Sequence, residues 1–256
     1  MDRQVFEEEA NRLLQAAERE GVTLRLLGAI AFRRRCAAYG YLQDRLGRKF
    51  TDIDFAAYGR DVDRIRALFL TLGYVDDRAT YVESGGSRLV FTDPLTSLHV
   101  DVFLDRLEFC HTIQWNGRLE VDASTIPLAE LLMEKMQIVE INEKDIIDSI
   151  MLLLEHPLGD SDDETINVQQ VTKLCASDWG WWRTTTMNLE KVHQLANSYD
   201  QLSDRDKARV GEQVGVLRAR IDEVPKSFGW KMRAKVGDRK KWYRDVDELA
   251  PRLEEA

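Results

Sequence analysis

The segment "GRKFTDIDFAAYG", residues 47–59, constrains this chain more than any other stretch. Its apolar members, Phe50, Ile53, Phe55, Ala56 and Ala57, read as a buried strand, yet Asp52 and Asp54 stand two apart within it. Side chains two apart on a strand share a face, so the two carboxylates lie side by side. Such charges repel each other and resist leaving water, so a compensating cation or a raised pKa is needed there. A third acid belongs to the same problem. "SLHVDVFLD" alternates around Asp101, and if that strand lies next to the first, three carboxylates meet on one edge of a sheet. An all-oxygen set of this kind suits Mg2+ or Mn2+ rather than zinc.

The remaining pattern supplies a frame for these acids. An amphipathic helix over about residues 2–20 stops at Gly21, "VTLRLLGA" reads as a strand, and "IAFRRRCAAYGYLQDRLG" reads as one helix beginning directly after Gly28. "TDIDFAAYG" is the second strand, and "DVDRIRALFLTLGY" is a helix with Asp61 as its N-cap. "SRLVFTD" and "SLHVDVFLD" form a hairpin turning at Asp93 and Pro94, and "FCHTIQWNGRLEV" forms another turning at Asn116 and Gly117. Two helices come next, one from Pro127 at a first helical position and one over "EKDIIDSIMLLLEH". "HPLGDSDDET", residues 156–165, is the best linker, and the residues after it read as helices only. The expectation is an α/β (α+β) chain with a mixed sheet flanked by helices over residues 1–157, followed by an all-helical C-terminal domain over 166–256.

Net charge and cysteine usage narrow the function classes. A formal net charge of -9 argues against a protein that coats nucleic acid generally. Cys36, Cys110 and Cys175 are far apart and odd in number, so neither a disulfide framework nor a zinc site is expected. The start of the chain is charged and amphipathic and no apolar run reaches membrane-spanning length, which predicts a cytoplasmic protein with no membrane partner.

"LLGAIAF" places a small-residue turn, Gly28 and Ala29, between a strand and a helix. Backbone N–H groups at such a helix start can hold phosphate oxygens. With "DID" after the next helix and "HVDV" on a later strand, the chain resembles the nucleotidyltransferase superfamily that shares the DNA polymerase beta catalytic fold. "LAELLMEKMQIVEINEKDIIDSIMLLLE" is similar to the abortive-infection type, with Lys135, Lys144, Asp145 and Asp148 at matching positions; the resemblance covers about residues 22–156. Ala29 stands where that family has Ser or Gly, and the interval from Gly28 to Asp52 is longer than its common one.

The resemblance implies that Asp52, Asp54 and Asp101 bind the metal, with Asp101 also a base for the acceptor hydroxyl. Gly28, Ala29 and Lys135 would then hold nucleotide phosphates. Asp145, with Lys144 and Asp148, would orient a basic partner or the acceptor side of the cleft. The implied reaction moves an NMP from an NTP to an acceptor hydroxyl on RNA, a protein or a small molecule. A cognate antitoxin is an implied partner of toxin-type members. Beside this stand a catalytically weak scaffold of the same fold and a helical interaction protein whose acidic strand ends do nothing.

Individual residues keep bland readings as well. Lys135 can be an exposed helical lysine, and Asp145 and Asp148, three apart on one helix face, can simply favour its first turn. The stretch 226–244 mixes Lys231, Arg233, Lys235, Arg239, Lys240, Lys241 and Arg244 with Trp230, Trp242 and Tyr243. It suits an RNA acceptor, or a basic segment pairing with the acidic "DVDELAPRLEEA".

Overall fold

A computed structural model describes residues 3–245; most of "DVDELAPRLEEA" lies outside the described residues, and of the pairing expected of that segment the described residues include Lys241 with Asp245. Strands β1 (Leu24–Leu27), β2 (Asp52–Ala57), β3 (Val75–Asp76), β4 (Arg88–Thr92) and β5 (His99–Leu104) form one sheet in the order β1-β2-β5-β4-β3. β2 and β5 run parallel and every other neighbouring pair is antiparallel, so the sheet is mixed, as the sequence predicts. On one face Ile53, Phe55, Val100 and Val102 are fully buried, which fixes the register because a one-residue slip would expose all four. Asp52, Asp54 and Asp101 are thereby committed to the other face.

Helices α1 (Arg3–Arg19) and α2 (Gly28–Arg35) pack on β1 and β2; α3 (Tyr41–Arg45), α4 (Val62–Thr71) and α5 (Arg78–Glu83) complete the first half. Strands β6 (Arg106–Glu108) and β7 (Thr112–Gln114) form a separate hairpin, followed by α6 (Leu128–Met136) and α7 (Glu143–Glu155). A short parallel pair, β8 (Leu158–Gly159) and β9 (Ile166–Asn167), leads into α8 (Val168–Ser177), α9 (Trp179–Ser198), α10 (Asp204–Glu223) and α11 (Phe228–Ala234). Polar side chains cap four of the C-terminal helices: Asn167, Asp178, Ser203 and Ser227 accept from backbone N–H groups of α8, α9, α10 and α11.

The C-terminal helices also close the ends of the two helices below them. Asn188 of α9 donates to the carbonyls of Met136 and Ile138, and Gln213 of α10 donates to those of Leu153 and His156. Those carbonyls at the ends of α6 and α7 have no partner within their own helices. One continuous apolar core therefore runs from Phe6 to Ile221.

Three local expectations are corrected and a fourth holds in part. The helix expected over "IAFRRRCAAYGYLQDRLG" starts at Gly28 itself and breaks into α2 and α3. Gly40 lies against Arg33, whose guanidinium takes the Gly40 carbonyl, and a Cβ there would meet Arg33 Nη1 at 2.6 Å. The second hairpin turns between Glu108 and Thr112 rather than at Asn116 and Gly117, because Trp115 is buried and donates its indole N–H to the Phe103 carbonyl. Asp61 stands at the N-cap position of α4 as expected, but its carboxylate accepts from Arg64 and makes no capping bond to the backbone. Pro127 is the N-cap of α6, one place before the first helical position.

The hairpin of β6 and β7 is fastened to α9 through His111. Its ring stacks on Trp181 at 4.8 Å, and its Nε2 lies 2.9 Å from Thr184 Oγ1, which also receives the Trp242 indole N–H at 3.0 Å. The Thr184 hydroxyl accepts from Trp242 and shares a hydrogen bond with the His111 ring. Burial lowers the His111 pKa from the ordinary 6.5 to about 4. A histidine depressed in the fold contributes stability that is complete above the unfolded value and is lost as pH falls through the folded value. Denaturant unfolding is expected to show up to about 3 kcal/mol lost from His111 between these pH values. His111→Gln removes that slope, and identical slopes in both proteins would contradict the assignment.

Candidate metal centre

The parallel register of β2 and β5 places Asp54 directly beside Asp101, and Asp52 beside His99. One oxygen from each of Asp52, Asp54 and Asp101 lies within 4.8 Å of the others. Asp101 is buried, whereas Asp52 and Asp54 are half-buried at the strand's beginning. Burial, then the charges of Asp52, Asp101 and Glu134, pushes the Asp54 carboxyl well above the usual carboxylate range. Asp52 is raised as well, by burial first and by Asp101. Two oxygens bound to one cation at about 2.1 Å lie at most about 4.2 Å apart. Neighbouring octahedral positions at that distance are only about 3.0 Å apart, so the three groups would close by up to about 1.8 Å around a divalent ion, and with that closure this acidic triad could bind one.

Gly28 is shaped by this centre. Its φ is +69°, and a Cβ built on it would meet Asp54 Oδ2 at 2.4 Å. Its N–H donates to both Glu134 carboxylate oxygens at 3.2 Å, so the first amide of the small-residue turn is spent on an internal acid. The next residue, Ala29, is half-buried. Gly28→Ala is expected to cost about 1–2 kcal/mol from the left-handed backbone alone and also to weaken divalent binding by displacing Asp54. Gly73→Ala is the control: φ is +92° with nothing within 4 Å, so it should lower stability and leave binding unchanged. Equal binding by both variants would contradict this placement of Gly28.

Lys135 is buried rather than exposed. Its ammonium lies 3.1 Å from Glu134, 3.2 Å from Asp145 and 3.5 Å from Asp148, with the Phe32 ring centroid at 5.1 Å. Burial alone would lower its pKa, but these three carboxylates carry it above the ordinary lysine value. Asp148 is fully buried and receives Arg48 at 2.6 Å and Gln43 at 2.8 Å. Arg48 also donates to the Lys144 carbonyl, while the Lys144 residue itself is exposed. Lys135, Asp145 and Asp148 thus form one buried network, joined to the three aspartates through Glu134 and Gly28.

Sequence reasoning misses three contributors: Arg88, Glu134 and Arg48. Arg88 of β4 donates its Nε–H to Asp101 Oδ1 at 2.7 Å. Glu134 bridges the start of α2 to Lys135. The adjacency of Glu134 to Lys135 and the strand phase of Arg88 are visible in the sequence; their partners are not.

No family model, curated protein or solved structure matches this chain. Its chemistry must be argued from its geometry.

Much of the stretch 226–244 is drawn into the fold. Trp230 packs edge-on against Trp182, Trp242 packs against Trp179, and Arg233 lies 4.5 Å over the Trp179 ring. Arg244 binds Glu108, Thr112 and the carbonyls of Phe109 and His111. Lys231, Lys235 and Lys240 remain exposed. Among the described residues, no helix is long and apolar enough to cross a membrane.

Proposed function

We propose that this chain is a nucleotidyltransferase dependent on Mg2+ or Mn2+, which moves an NMP from an NTP to an acceptor hydroxyl. The observation that carries the reading is the meeting of Asp52, Asp54 and Asp101 on one sheet face against the start of α2. Asp52, Asp54 and Asp101 would hold the cation, which when bound neutralises charge on the triphosphate and polarises the reacting phosphorus. The acceptor oxygen forms its bond to the α-phosphorus as the bond to the β-phosphate oxygen breaks, and pyrophosphate leaves. We assign removal of the acceptor proton to the Asp101 carboxylate. Since Glu134 holds the Gly28 N–H, phosphate contacts fall to the next amides of the first turn of α2, which lack helical partners.

The exposed Lys231, Lys235 and Lys240 would serve an RNA acceptor by binding its phosphates. A second reading, a nucleotide-binding or partner-binding scaffold with weak catalysis, is favoured by the same Glu134 contact, by Ala29 and by the engagement of Lys135 with three acids. An antitoxin would be a partner under either reading.

Incubation with each alpha-labelled NTP, Mg2+ and pools of RNA, protein and small metabolites decides between them. Label transfer and pyrophosphate release by wild type, absent in Asp54→Asn, support the enzyme; no release with any pool favours the scaffold.

A further inference from the structure

We propose that Arg88 competes with the divalent cation for Asp101 and is passed to the nucleotide phosphates when that cation binds. This rests on the metal reading above. Among the described residues, Arg88 is the one basic side chain in ion-pair contact with any of Asp52, Asp54 and Asp101. Register explains how it gets there: Val90 of β4 lies opposite Asp101 and Arg88 lies opposite Phe103, so Arg88 and Asp101 are diagonal neighbours on one face. The guanidinium lies 5.3 Å over the Phe103 ring, and its Nε is 2.7 Å from Asp101 Oδ1.

The exposures of the two partners differ in a way that assigns the movable one. The Asp101 side chain is 7% exposed and its strand lies inside the sheet, whereas the Arg88 side chain is 27% exposed. A divalent ion on Asp101 would bring a second positive centre against the guanidinium, and the two repel at that range. Arg88 is the group that can withdraw. The triphosphate arriving with the ion offers it a new anion, and a planar guanidinium matches phosphate oxygens in a way an ammonium does not. The same side chain thus guards Asp101 and then contacts substrate.

The proposal requires opposite signs for two affinities, which a merely structural role would not produce. Mn2+ titrations followed by electron paramagnetic resonance should show Arg88→Gln binding Mn2+ alone about three- to tenfold more tightly than wild type. With Mn2+ saturating, the α,β-methylene analogues of the four NTPs should bind Arg88→Gln about tenfold more weakly. Arg88→Lys keeps the charge and guards against a folding defect; it should restore the wild-type Mn2+ affinity but not the nucleotide affinity. Two affinities that fall together, or neither changing, would overturn the proposal while leaving the metal reading intact. No saturable Mn2+ binding by wild type would overturn the metal reading, and this proposal with it.

Discussion

Under the proposed function, Asp54→Asn is expected to lower nucleotidyl transfer by at least about 100-fold and to leave the melting temperature equal to or above that of wild type. Both halves follow from one arrangement. Asp54 lies beside Asp101 in the parallel register and shares its face with Asp52, and Glu134 adds a further negative charge nearby. Its carboxyl is raised in the fold, so the ionised form opposes folding at neutral pH. The substitution keeps the shape and removes that charge, so the proposed cation binding would be lost without loss of the fold. Circular-dichroism melts beside the label-transfer assay check the pair. A melting temperature that falls with activity would mean that Asp54 is structural.

Lys135→Met is expected to cost about 3–5 kcal/mol, because it leaves Glu134 and Asp145 buried without their cation. Against a typical domain stability of about 5–15 kcal/mol, that is enough to unfold a large fraction of molecules under mild stress. Asp148 keeps Arg48 and Gln43 and is less affected. Adding Glu134→Gln to Lys135→Met should recover part of the loss, since the pair is coupled. Urea unfolding measures both. A Lys135→Met protein as stable as wild type, impaired only in nucleotide binding, would instead make Lys135 a phosphate contact.

The triad is legible because strand chemistry is local. Two aspartates at period two in an apolar run commit their face whatever the rest of the chain does. Whether β5 lies beside β2 is not local. That adjacency is a parallel pairing between strands far apart in the chain, and only the resemblance to a known motif order supplies it. Arg88 shows the limit well. It alternates in phase with Val90 and Thr92 as any solvent-facing strand residue does, and only the register of the hairpin brings it to Asp101. Lys135 is ambiguous in the sequence for a related reason. A lone lysine on a helix reads as exposed until Glu134, Asp145 and Asp148 are known to surround it.

The corrected details of the fold have packing causes. Asn116 and Gly117 carry a strong turn signal, and Gly117 does sit in a turn with φ +66°, but the burial of Trp115 ends the strand before it. The break between α2 and α3 contains no proline; the backbone leaves the helical region at Cys36 (φ -117°, ψ 55°), and Arg33 spans the gap to the Gly40 carbonyl at the start of α3. Neither contact is encoded by spacing.

The central claim is that Asp52, Asp54 and Asp101 form one divalent-cation site, and a Mn2+ titration of wild type beside Asp54→Asn tests it most directly. Saturable binding by wild type, displaced by Mg2+ and lost in the variant, is the expected result. Equal binding by both proteins, or none by wild type, would contradict it.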